Sequence, residues 1–390
     1  MVLALRFILG DHEQAETHLR SFYSQMLSAD FSGAQKSIDE AVRLWPSNSR
    51  YYAWRAYCNS QGLPPQCPRC ATSMGLDDAA SRAIEQSIGD YRKSLALNSR
   101  DAVVHHNLAW LSHLIANDGA AKEAWERAIA LDPNNAEYHL SFGMFLEEYG
   151  DAIGMMDQYM KAIQLSPGIL DSPFFRDFRA RSLQASSRIV NESTERMEAE
   201  VRKTGDPILK ARLGKLYLFS QNAERASALL QQASGDLPSL PLVWFNLGEV
   251  RCTQGRCEEA QPYYLRAFAL DGRLPGPPVR IGQAYLRGGQ PKIALEYFRS
   301  AAHNWERMTP VTAGHNQRLY RGPTQTIDEL LPTTLVWYTS PCEASTAYRA
   351  LAELSPRDTR YRQRANTCEE IPAPHSCPRS SSREPLAPTR

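Results

Sequence analysis

The chain has 390 residues, of which 44 are basic and 43 acidic, for a formal charge of +1. That balance gives no electrostatic case for nucleic acid or an acidic membrane as the main partner. At 43% hydrophobic and 22% charged the composition is that of a folded protein, and eight cysteines are too few for a disulfide-dense scaffold and leave the redox compartment open.

Residues 1–14 form an apolar N-terminal segment, with Arg6 the one charge before Gly10. The segment is too short to span a bilayer and lacks the basic start and small-residue exit of a signal peptide. Two readings stay open: the start of a helix lying on the body of the protein, or the trailing end of a membrane segment in a longer protein.

Beyond this segment the chain is governed by internal repetition. A small residue follows an apolar one at Leu108-Ala109, Phe142-Gly143, Leu213-Gly214, Leu247-Gly248 and Ile281-Gly282, and the last three glycines are 34 residues apart. A second set of marks moves with the first. Ala121, Trp125, Ala128 and Pro133 follow Ala109, while Tyr159, Ala162 and Pro167 follow Gly143. Ala226, Leu230, Ala233 and Pro238 follow Gly214; Ala260, Tyr264 and Ala267 follow Gly248; Ala294, Phe298 and Ala301 follow Gly282. Packing accounts for the pattern. Each unit holds two amphipathic helices, the small residue lets the second approach closely, the large residue fills space between them and their neighbours, and proline stops the second helix.

This register resembles the tetratricopeptide repeat family, which places a small residue at position eight, alanine at twenty, an aromatic at twenty-four, alanine at twenty-seven and proline at thirty-two. The resemblance implies an all-α fold, an α-solenoid in which antiparallel helix pairs stack into a right-handed superhelix. The clearest units are 102–135, 136–169, 207–240, 241–274 and 275–308. In chain order the expected organisation is block one at 15–169, with an insertion at about 59–77 between the helices of its second unit, then a degenerate repeat or joint at 170–206. Block two comes next at 207–308, then an irregular helical cap at 309–367, and a disordered proline- and serine-rich tail at 368–390.

In this family the first helices line a concave groove. Carried over, the groove candidates are His106, Trp110, His113, Leu140, Met144, Lys215, Phe245, Asn246, Glu249 and Gln283, with Trp110, Phe245 and His106 the expected anchors. Such a mixed lining suits an extended peptide or a partner helix. The family's grip on a C-terminal carboxylate needs a basic residue at position five and asparagine at nine. Here those pairs read His106/Trp110, Leu140/Met144, Ala211/Lys215 and Phe245/Glu249, so that specialisation is missing.

Few constellations carry chemistry. Cys67-Pro-Arg-Cys70, with Cys58 as a third sulfur, fits plain thiols, a disulfide, a structural metal or a redox dithiol, but the second cysteine pair of a complete zinc signature is missing. Cys252 and Cys257 flank a turn and are either a staple or free thiols. His105 and His139 share position four of consecutive units, which argues for repeated packing. Arg176, Arg179, Arg181 and Arg188 make a modest basic cluster beside an acidic run. No phosphate-binding glycine loop, HExxH or dinucleotide fingerprint is present.

The expected function is therefore a protein-interaction scaffold that binds a peptide, helix or subunit, with no catalytic set, no cofactor and no nucleic-acid partner. Self-association is a second partner class, and membrane association is expected only through a missing upstream region. The alternatives are a soluble repeat region resembling the C-terminal extensions of bacterial O-antigen ligases and polysaccharide polymerases, or an envelope assembly subunit. The sequence leaves the location open between the cytoplasm and, for part of an envelope protein, the periplasm or another extracytoplasmic space.

Overall fold

The computed structural model describes residues 2–27, 30–61, 78–171, 173–274, 276–308, 341–356, 358 and 361–362. Every regular element among them is helical. Block one comprises α1 (Val2–Leu27), α2 (Phe31–Leu44), α3 (Ser49–Gln61), α4 (Asp78–Leu97), α5 (Ala102–Leu114), α6 (Asp118–Leu131), α7 (Ala136–Tyr149) and α8 (Ala152–Leu165). A 3-10 segment, Pro167–Asp171, leads to α9 (Pro173–Arg181) and the long α10 (Leu183–Thr204). Block two comprises α11 (Pro207–Phe219), α12 (Ala223–Asp236), α13 (Pro241–Thr253), a 3-10 turn at Cys257–Ala260, α14 (Gln261–Leu270), α15 (Gly276–Arg287) and α16 (Pro291–Met308). The last described helix is α17 (Pro341–Leu354).

Four of the second helices start where the sequence supplies a cap. Position sixteen of the unit is Asp30, Asn117, Asp151 or Asn222, and its side chain accepts the N–H of Gly33, Ala120, Gly154 or Arg225 at 2.9, 3.3, 2.9 and 3.2 Å. These bonds satisfy one of the orphan donors of the first turn. Pro207, Pro241 and Pro291 open their helices, where the missing N–H costs nothing.

The pairs pack as helical hairpins, each leaning on the next unit. The small residue at position eight meets the large one at position twenty-four of its own unit. A Cβ placed on Gly214 would lie 2.7 Å from Leu230, and one on Gly282 would lie 2.9 Å from the Phe298 ring. Gly143 and Gly248 face Tyr159 and Tyr264 in the same way. The alanines at positions twenty and twenty-seven, from Ala34 and Ala41 to Ala294 and Ala301, are buried throughout. No hairpin buries its apolar face alone, so stability comes from stacking.

The junction departs from this frame. α9 has nine residues and α10 has 22, and α10 lies against both α8 and α11. Phe174, Phe175 and Phe178 surround Tyr159 with ring centroids 5.5, 5.3 and 5.3 Å away. At the N-terminus α1 runs unbroken from Val2, and Ala15, Leu19, Phe22 and Met26 are buried in the main core. No described helix is long and apolar enough to cross a membrane. α17 adds Ala347, Tyr348 and Leu351 to the core formed with Phe298 and Ala302. Of the expected insertion at about 59–77, residues 59–61 are the end of α3, and residues 62–77, most of the expected cap and the tail lie outside the described residues.

Candidate partner-binding face

The first helices carry position nine of each unit in sequence: Trp110, Met144, Lys215, Glu249 and Gln283. The row changes character along the chain. In block one Trp110 is 2% exposed and Met144 6%. Trp110 lies edge-on to Trp125 at 5.1 Å. In block two Lys215, Glu249 and Gln283 are all partly exposed on three successive first helices.

The remaining block-one candidates are also buried. His106 is wholly buried, its ring 5.0 Å from that of Tyr138 and its Nε2 3.0 Å from Ser141 Oγ. Leu140 belongs to the main core. His113 lies between two carboxylates, with Nδ1 2.9 Å from Asp118 and Nε2 3.2 Å from Glu148. It thus joins both helices of its unit to the first helix of the next. Burial alone would lower its pKa, but hydrogen bonds and charge from Glu148 and Asp118 outweigh burial and raise it. A raised folded pKa stabilises the protein below the unfolded histidine value and the gain is lost as pH rises through the folded one. Chemical denaturation should therefore show wild type losing, as pH rises from about 6.5, a stabilisation that His113→Gln never has. A constant gap between the two across that window would refute the clasp. The comparison cancels the opposing contribution of His105, whose pKa burial lowers.

In block two the candidates converge on Glu249. Its carboxylate accepts Tyr264 Oη at 2.7 Å and two Arg280 nitrogens, Nε and Nη2, at 2.9 Å each. Arg280 Nη1 also reaches Gln283 Oε1 at 3.4 Å. Lys215 pairs with Asp171 at 2.9 Å and still acts electrostatically on Glu249. Phe245 is half-buried, its ring 5.7 Å from that of Tyr264. Asn246 is wholly buried beside this group, and neither its amide nitrogen nor its oxygen has a hydrogen-bond partner among the described residues. Its equivalent, Asn107, donates to Tyr91 Oη at 3.2 Å.

The tyrosine–carboxylate bridge left no mark that the repeat register exposes. Tyr159 repeats the tyrosine–carboxylate bond, donating to Glu147 at 2.8 Å, and Arg181 holds that carboxylate at 2.7 Å as Arg280 holds Glu249. Position four also has a shared task. His105 Nε2, His139 Nε2 and Trp244 Nε1 donate to the carbonyls of Ser99, Pro133 and Pro238, each six residues upstream, at 3.2, 2.9 and 2.9 Å. Ring N–H groups thereby pin the loop between units, and the recurrence of such donors at position four was the available signal.

The cysteine readings separate. Cys58 is buried and burial pushes its thiol up to about 12, which makes it a poor ligand and a poor nucleophile. Cys67 and Cys70 lie outside the described residues. Among the described residues no group of three histidine, cysteine or acidic side chains could hold a metal. Cys252 and Cys257 form a disulfide.

Tetratricopeptide repeat family models match residues 124–164 and 212–275. No curated protein matches. Solved structures that resemble the chain include a tetratricopeptide repeat protein from Parabacteroides merdae, at 13% identity over 75% of this chain and 93% of that one, with a TM-score of 0.34. Another is the C-terminal part of a repeat-containing protein from Cytophaga hutchinsonii, at 12% identity over 88% and 98% of the two chains, TM-score 0.29. Yeast Tom70 shares 14% identity over 92% of this chain and 81% of its own, TM-score 0.33. The two matched stretches, the hairpin frame and the position-eight contacts together show that the chain carries tetratricopeptide repeats stacked as helical hairpins.

Proposed function

We propose that the chain is a protein-binding scaffold that holds an extended peptide or helix of a partner protein against the first helices of block two. The observation that carries this reading is the position-nine row. Lys215, Glu249 and Gln283 present a cation, an anion and an amide in succession, partly exposed, with the half-buried ring of Phe245 beside them. Apolar anchors flanked by directional polar groups suit peptide recognition. The two clearest units of block one offer no such row, since their equivalents Trp110 and Met144 are buried.

Affinity recovery from the native source tests the proposal. The double variant Phe245→Ala/Gln283→Ala should lose roughly 30-fold or more in partner affinity, the scale of a truncated aromatic hot spot. Arg299→Ala, which changes an exposed residue of α16, should recover the partner normally. Undiminished recovery from a normally folded double variant would exclude this face.

A further inference from the structure

Unit 241–274 closes its inner turn differently from its neighbours. The carbonyl side of the turn is common to six units. The position-sixteen N–H donates to the position-eleven carbonyl in the pairs Asp30–Gln25, Asn117–Ser112, Asp151–Leu146, Asn222–Tyr217, Arg256–Arg251 and Gln290–Tyr285, all at 2.8 to 2.9 Å. The amide side differs. Where Asn117, Asp151 and Asn222 cap their helices, Arg256 makes no side-chain cap bond. The capped helices run 14 residues as α-helix, whereas here the first four residues form a 3-10 turn and the α-helix after it has ten. Gln290 lacks an aspartate or asparagine too, and Pro291 after it removes one of the four orphan N–H groups of that first turn. In unit 241–274 that first position is Cys257, bonded to Cys252 in the last turn of α13.

The bond also touches the candidate face. Cys252 Sγ lies 3.5 Å from Tyr264 Oη, and Tyr264 is the residue that donates to Glu249. We propose that the Cys252–Cys257 disulfide is a redox-set latch that replaces the missing helix cap and holds Tyr264 in place against Glu249. The second half of that statement rests on the block-two face being the binding face. Opening the latch takes two electrons from an external dithiol. The S–S bond breaks, each cysteine sulfur leaves as a thiolate that takes a proton, and the dithiol closes to its own disulfide. Disulfides persist in oxidising compartments and are opened in reducing ones, so the compartment sets the state of this turn.

Hydrogen exchange on the full chain, with and without dithiothreitol, tests the latch. Reduction should speed exchange at residues 258–261 about tenfold, as loss of a cap frays a first turn, and leave residues 120–124 unchanged. Cys252→Ser/Cys257→Ser without reductant should match reduced wild type. Adding Arg256→Asn to that double variant should restore slow exchange by supplying an ordinary cap. The latch is overturned if reduction leaves 258–261 unchanged, if the double serine variant matches oxidised wild type, if both segments speed up together, or if non-reducing peptide mapping finds both sulfurs free in air-purified protein. Partner recovery with and without dithiothreitol reads the link to the face separately. Equal recovery despite changed exchange removes that link, while the face itself stands or falls with Phe245→Ala/Gln283→Ala.

Discussion

Replacing Trp125 with alanine should cost about 3–5 kcal/mol of stability, the range for a fully buried tryptophan. Trp125 is wholly buried at position twenty-four of unit 102–135. Its ring touches Trp110 of its own unit at 5.1 Å and both Phe145 and Phe142 of the next at 4.9 and 6.1 Å. One truncation therefore removes packing within a hairpin and between hairpins, the two terms on which a solenoid stands. Trp125→Phe supplies the contrast. The indole N–H has no hydrogen-bond partner, so phenylalanine deletes no bond and should cost about 2 kcal/mol or less. Urea denaturation measures both, and exchange should localise the loss to α5, α6 and α7. An alanine variant within about 1 kcal/mol of wild type would mean that this cluster collapses around the gap.

The same position shows what a sequence can and cannot disclose. Trp125, Tyr159, Leu230, Tyr264 and Phe298 were legible because each must fill the space left by a small residue sixteen positions earlier in its unit, and that coupling is local in sequence. The groove was less legible. Trp110 and Lys215 share position nine, yet one is buried beside Trp125 and the other pairs with Asp171 at a partly exposed site. Register gives the direction of a side chain, but openness depends on how closely the neighbouring helices approach. The polar bridges were hidden for a different reason. Glu249 and Arg280 stand at positions nine and six of their units, whereas Glu147 and Arg181 both stand at position twelve, so the two bridges share no offset and leave no periodic mark. The disulfide sat between the two cases. The spacing of Cys252 and Cys257 permitted it, and the absence of asparagine or aspartate at position 256 was the unused clue.

Glu249→Ala should destabilise block two by about 2 kcal/mol, because Tyr264 and Arg280 lose the acceptor they share. Breaking a fully buried pair costs about 3–5 kcal/mol. Here the side chains of Arg280 and Glu249 keep 32% and 22% of their exposure, so water recovers part of the loss. The pH dependence identifies the cause. Burial alone would raise the Glu249 pKa, but the charge and hydrogen bonds of Arg280, the Tyr264 hydroxyl and the charge of Lys215 outweigh it and hold the carboxyl below its ordinary value. A depressed folded pKa gives stability above the unfolded glutamate value of about 4.3, and that stability is lost as pH falls through the folded one. The difference in unfolding free energy between wild type and Glu249→Gln should hold level at neutral pH and close as the solution is acidified below about pH 4. Glutamine keeps the shape and one acceptor while removing the charge, so its deficit isolates the ionic part of the bridge. If the deficit stays constant down to low pH, the bridge acts through packing and hydrogen-bond geometry alone, and the Lys215–Glu249–Arg280 alternation of charge is not what orders this face.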